Sequence, residues 1–261
     1  MNDDSQKSVA DSLETEINLL PYMPYLLQDL WAMGCSADQI LGLISNLNLP
    51  ANSINVLDLG CGKGALSVQI AAKFGFKVTG VDAMPEFLKT AEEKADDYKV
   101  TSLCNFIKED ILNYVTGNHD FNIVILAALG GIFGNNKCTI EKLRTQVSPG
   151  GYIIIDDGYL KKRNTLNRIG YAYCRNYENT VKEFTFFNDS LISEISTAEF
   201  SKKINTEYLE EIEKRCAELI TQHPQMKNDL KNYLDLQREE CEILNNEIEG
   251  MIWLLQKTKA T

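Results

Sequence analysis

The chain has 261 residues, 44% hydrophobic and 24% charged, which suits a globular protein with one sizeable core and an elaboration. Its 37 acids against 26 lysines and arginines give a net charge of -11, so a phosphate backbone would be repelled and no nucleic-acid partner is expected. The longest apolar stretch, Ile123 to Phe133, is too short to cross a bilayer as a helix, and the polar N-terminus MNDDSQKSVADSLETE lacks a signal-peptide pattern, so a cytoplasmic protein off the membrane is expected. The cysteines number 7 and are scattered without a C-x-x-C pair, which predicts reduced thiols and no metal.

From Leu13 to Leu49 the pattern predicts helices. Ile17 and Leu20 share a face before a break at Pro21 and Pro24, a second short helix carries Leu26, Leu27, Leu30 and Trp31, and a capping box of Ser36 and Gln39 opens a third. After Pro50 strands and helices alternate. Strands are predicted at Ile54 to Leu59, Lys77 to Val81, Leu103 to Ile107, Phe121 to Ala127 and Tyr152 to Ile155, with a helix over Ala65 to Phe74 and another opened by Pro85. Because parallel strands need crossovers, this alternation predicts a doubly wound α/β fold, a parallel sheet with helices on its faces. Tyr177 to Phe187 then reads as a helix, Leu191 to Ser196 as a sixth strand and Gly250 to Lys257 as a closing one. Between those strands, Ser201 to Glu247 carries apolar stripes at helical spacing on either side of Pro224 and reads as an inserted helical hairpin. The plan is an N-terminal helical cap over 1–49, a sheet domain over 50–200, the hairpin over 201–247 and a closing strand over 248–261.

Chemistry concentrates in VLDLGCGKGAL, residues 56 to 66, where a strand runs through three glycines into a helix. Such a turn lets a ligand approach the backbone, but Gly60, Gly62 and Ala65 also satisfy the dinucleotide pattern. Asp58 separates the two cases, because a carboxylate two residues before the first glycine opposes a pyrophosphate and attracts an ammonium, directly or through water. Asp82 closes the second strand, where an acid can accept from ribose hydroxyls. Asp110 follows the third strand, placed to accept from an adenine amino group with Ile111 against the ring; capping the next helix explains it as well.

With these acids at three successive strand ends, the sequence resembles class I S-adenosylmethionine-dependent methyltransferases: VLDLGCGKG is similar to their first motif, VTGVDAMPEFL to the second-strand motif and KEDI to the third. The resemblance implies a seven-stranded sheet in the order 3-2-1-4-5-7-6 with strand 7 antiparallel. It also implies S-adenosylmethionine as cofactor, leaving as S-adenosylhomocysteine. By position, Gly60, Cys61 and Gly62 would line its methionine moiety, Asp82, Ala83 and Met84 the ribose and adenine, and Asp110 and Ile111 the adenine edge, with Asp58 and Ala127 completing the set. One departure is Asn122, where many members begin strand four with aspartate.

The expected function is therefore methyl transfer to a small molecule by in-line displacement, which needs alignment and exclusion of water more than a dedicated acid or base. Asp156 and Asp157, at the end of strand five, are candidates for orienting the acceptor or taking its proton, and equally for capping a helix. Tyr22, Tyr25, Trp31, Tyr159 and Tyr171, with Tyr173, can line a substrate pocket, although core packing explains each nearly as well. Other readings are a protein methyltransferase, a non-catalytic cofactor-binding module, and a nicotinamide-dependent oxidoreductase, against which Asp58 and Gly64 argue. A monomer or homodimer is expected, and the hairpin reads as a lid over the acceptor or as a dimer contact.

Overall fold

Side chains along a strand alternate between its two faces, and nearly every central strand here is apolar on both. The computed structural model describes residues 3–51, 53–162, 166, 168 and 170–259, so the extreme ends of the expected cap and closing strand lie outside the described residues. Strands β1 (Asn55–Leu59), β2 (Lys77–Asp82), β3 (Cys104–Lys108), β4 (Phe121–Ala127), β5 (Val147–Leu160), β6 (Ser190–Ser196) and β7 (Ile248–Gln256) form one sheet in the order β3-β2-β1-β4-β5-β7-β6. Strands β1 to β5 run parallel, and β7 lies antiparallel between β5 and β6. The expected topology is observed.

Val56, Ile123, Ile125, Ile154, Ile252 and Leu254 face one core, packed under helices α3 (Ala37–Asn46), α4 (Ala65–Phe74) and α5 (Pro85–Asp97). Leu57, Leu59, Val124, Ile153, Ile155 and Trp253 face the other, covered by α6 (Ile111–Tyr114), α7 (Asn136–Arg144) and α8 (Tyr177–Phe184). The same alternation sends Asp58 and Asp156 to the first face and Asp157 to the second. Asn122 accepts the amide of Asn55 at 2.8 Å. This bond closes the amino end of the sheet, opposite the glycine turn, so the departure from the motif is a structural one.

Strand β5 is longer than expected because β7 pairs with it from Tyr152 to Leu160, supplying hydrogen bonds to the polar run DDGY that carries no apolar alternation. The N-terminal cap differs most from its expected form. An unforeseen helix α1 (Asp3–Ser12) opens the described chain, and a 3₁₀ turn (Ile17–Tyr22) replaces the predicted helix, with Ile17 48% exposed and Leu20 5%. Helix α2 (Met23–Leu26) is one turn long, and just beyond it the Lys63 ammonium donates to the carbonyls of Leu27 and Leu30. Ser36 sits at the N-cap of α3 without forming a side-chain cap; its amide donates to Asp156 instead. Helices α9 (Ala198–Gln222) and α10 (Lys227–Asn246) form the hairpin, and they bury Ile212, Cys216, Leu219 and Leu230 against Leu19, Leu20, Met23 and Leu26 of the cap. No helix among the described residues is long and apolar enough to cross a membrane.

Candidate active site

At the carboxyl end of β1 the chain must turn sharply into α4, and Gly60, Gly62 and Gly64 all take left-handed backbone with φ of 68°, 53° and 72°. A side chain at Gly60 would strike Leu129, and one at Gly62 would strike Met33. The turn spends its own amides: Gly60 and Cys61 donate to the Val81 carbonyl, Gly64 to Cys61, and Gly62 to Asp82 Oδ2 at 2.9 Å. Asp82 Oδ1 accepts the Met84 amide at 2.8 Å, so one carboxylate ties the glycine turn to the end of β2. A turn built to cradle a diphosphate aims free N–H groups outward. Here four of them are consumed internally, above an acid.

That acid, Asp58, is 3% exposed and accepts from Ser67 Oγ at 2.6 Å; burial pushes its carboxyl up to about 6 despite that bond. Burial also raises Asp82, opposed by the amides it accepts. Asp110 caps α6 by accepting the Leu112 amide at 2.9 Å, so the capping role foreseen for it is present while its carboxylate still borders the cavity. Lys63 passes beneath the cap: its ammonium donates to the Leu27 and Leu30 carbonyls, burial pulls it down to about 8, and its own carbonyl accepts the Trp31 indole N–H at 2.9 Å.

A cavity of about 1130 Å³ opens over this turn. Of the expected cofactor residues, Asp58, Gly60, Cys61, Asp82, Ala83, Met84, Asp110, Ile111 and Ala127 line it, while Gly62 lies under Met33. Asp156, Asp157, Trp31, Tyr171 and Tyr173 line it too. Three tyrosines do not. Tyr22 packs edge-on to His223, Tyr25 donates to Glu218 at 2.5 Å, and Tyr159 stacks at an angle on Tyr177, so each is spent in a contact between elements.

Asp156 accepts the Ser36 amide at 2.8 Å, and burial pushes it up to about 6. Asp157 Oδ1 accepts from Tyr173 Oη at 3.0 Å and the Gly158 amide at 2.8 Å; burial raises it to about 7. Sequence reasoning missed what closes the far side. Tyr171 Oη donates to Glu240 Oε1 at 2.5 Å, and Arg168 binds Glu14 and Glu239, so that the turn after α1, Arg168 with Tyr171, and α10 meet around the cavity. Glu240 sits in a polar helix that reads as solvated, and no motif marks it. Among the described residues no cluster of His, Cys, Asp and Glu can hold a metal ion.

Residues 51–238 match the protein family described as "Methyltransferase domain". The chain belongs to that methyltransferase family. It is 28% identical over 133 residues to ubiquinone biosynthesis O-methyltransferase of Rickettsia akari, covering 50% of this chain and 47% of that protein. It is 25% identical over 179 residues to release factor glutamine methyltransferase of Shewanella oneidensis, covering 57% of this chain and 62% of that one. The methyltransferase chain thus spans less than two thirds of the curated relatives it matches. In fold it is similar to a SAM-dependent methyltransferase from Geobacter sulfurreducens solved with S-adenosyl-L-homocysteine, with a TM-score of 0.76 and 16% identity, covering 90% of this chain and 97% of that one. A second such enzyme, from Thiobacillus denitrificans, gives 0.74 and 18% at the same coverages. At these identities the likeness is one of fold.

Proposed function

We propose that this methyltransferase-family chain binds S-adenosylmethionine on the glycine turn and transfers its methyl group to a small molecule held in the same cavity. The observation that carries the reading is the turn itself: its amides are spent on its own carbonyl and carboxylate groups, and Asp58, Asp82 and Asp110 stand at the ends of β1, β2 and β3. Such a surface repels a diphosphate and suits a nucleoside carrying a sulfonium and an ammonium. Asp58 would meet the ammonium, Gly60 and Cys61 the methionine chain, Asp82 the ribose hydroxyls, and Met84, Asp110 and Ile111 the adenine. The solved relatives with S-adenosyl-L-homocysteine support the assignment. The donor's positive charge activates its own leaving group, so the protein's part is to align the acceptor and exclude water.

The hairpin of α9 and α10 serves as the lid. Ile204 and Tyr208 of α9 and Glu240 and Leu244 of α10 line the cavity, and the apolar seam with the cap holds the pair over it. That shared seam favours a lid over a dimer contact, because it already occupies the apolar face of the hairpin. Titration calorimetry with S-adenosylmethionine, S-adenosylhomocysteine and NAD tests the cofactor reading. The two sulfur nucleosides should bind and NAD should not; tighter binding of NAD would overturn it.

A further inference from the structure

Beyond the three strand-end acids, the cavity is also lined by the end of β5, by Gly170, Tyr171 and Tyr173, and by the hairpin. Three carboxylates face it, Asp156, Asp157 and Glu240: the first accepts a backbone amide, the second a tyrosine hydroxyl and an amide, and the third a tyrosine hydroxyl while also sharing a hydrogen bond with Glu14. Among the described residues none of the three has an ion-pair partner, and the guanidinium nearest Glu240, that of Arg168, is already bound to Glu14 and Glu239. Both bonds to Asp157 fall on Oδ1, which leaves Oδ2 for a ligand. The rings of Tyr171 and Tyr173 stand 6.4 Å apart at 25° on the same wall. Gln237, 2% exposed and on that wall as well, has a side-chain nitrogen with no partner.

Carboxylates withdrawn from water without a cation are costly, and a ligand that brings positive charge recovers the cost, while an anion adds repulsion. Aromatic faces beside them add attraction for an alkylammonium. The unpaired amide of Gln237 asks for an oxygen on the same ligand. We infer, on the methyl-transfer reading above, that the acceptor is a primary or secondary amine bearing a hydrogen-bond-accepting oxygen. It is held as an ammonium between Asp157 and Glu240 against Tyr171 and Tyr173, and Asp157 takes its proton. The freed nitrogen lone pair forms the new N–C bond to the donor methyl, and the S–C bond breaks with its electron pair returning to sulfur. The products are S-adenosylhomocysteine, the N-methylated ammonium and one proton, passed from Asp157 to water. Burial places Asp157 at about 7, where its carboxylate can take that proton and release it at neutral pH.

A metabolite extract incubated with methyl-labelled S-adenosylmethionine tests this. The label should be retained on a cation exchanger at acidic pH and survive hot alkali, as an N-methyl group does and a methyl ester does not. With the purified labelled compound, Asp157→Asn should lower kcat by roughly 100-fold and raise KM as well, because it removes both the base and one counter-charge, and Glu240→Gln should raise KM by roughly tenfold with kcat little changed. Affinity for S-adenosylhomocysteine should stay within about twofold in both, which also shows that the variants fold. Label in an acid, a phenol ether or an alkali-labile ester would overturn the amine inference and leave the methyl-transfer reading standing. Failure of the wild-type chain to bind S-adenosylhomocysteine, or to label anything, would overturn that reading and this inference with it.

Discussion

Asp82 accepts the Gly62 amide on Oδ2 and the Met84 amide on Oδ1, and its carboxylate, which has further lone pairs, lines the cavity. If those lone pairs accept from ribose, Asp82→Ala should weaken S-adenosylhomocysteine binding by about 1.5–3 kcal/mol in calorimetry. An unchanged affinity would reduce the residue to a staple of the turn. A second residue-scale consequence follows from burial. Asp58 and Asp156 lie near 6, Asp157 and Glu240 near 7, all raised by burial above the carboxylate value of about 4 that they take in the unfolded chain. Between those limits the folded chain holds more protons than the unfolded one, so their contribution is fully present below about pH 4 and is lost as pH rises through 6 to 7. Asp157→Asn should therefore raise the melting temperature of the ligand-free protein at pH 8, and by less at pH 5. Equal gains at the two pH values would remove the titration argument. Asp58 and Asp82 were legible because motif spacing places them beside glycines; Tyr22, Tyr25 and Tyr159 were not, because aromatic side chains pair with whichever element tertiary packing brings near.

The glycine turn and the N-terminal cap are separate elements that one lysine joins. Lys63 caps the carbonyls of Leu27 and Leu30, just beyond the single turn of α2. Lys63→Ala should cost about 1–3 kcal/mol in chemical denaturation, with hydrogen exchange faster over residues 23–36; uniform exchange across the chain would disprove a local latch. The hairpin and cap share a core in which Leu230 is fully buried. Leu230→Ala should cost about 2–5 kcal/mol and loosen the cap together with the hairpin, read by proteolysis within 13–36 and 198–246. Cleavage confined to the hairpin would show that the two do not support one another. Strands β1, β2 and β4 were readable as short apolar runs between glycine and polar breaks. The reach of β5 into DDGY was not, because β7, remote in the chain, supplies its partners.

At the scale of the molecule, the sheet presents the acids of β1, β2 and β3 at one edge, and the cap and hairpin close over them as one unit. Binding of S-adenosylhomocysteine should then slow hydrogen exchange in the cap and in the hairpin as well as in the glycine turn. Protection limited to the turn would mean that the hairpin does not respond to the cofactor site. The amino-acid sequence by itself determined the parallel core, the glycine turn and the acids around it, because each rests on local pattern: apolar alternation, left-handed glycine, and a carboxylate at a strand end. Only the tertiary structure decided that the turn keeps its amides to itself, that Lys63 holds the cap, and that Asp157 and Glu240 share a tyrosine-lined wall. Those facts depend on pairs such as Tyr171 with Glu240 and Ser36 with Asp156, whose members lie 69 and 120 residues apart and meet only when the sheet has formed.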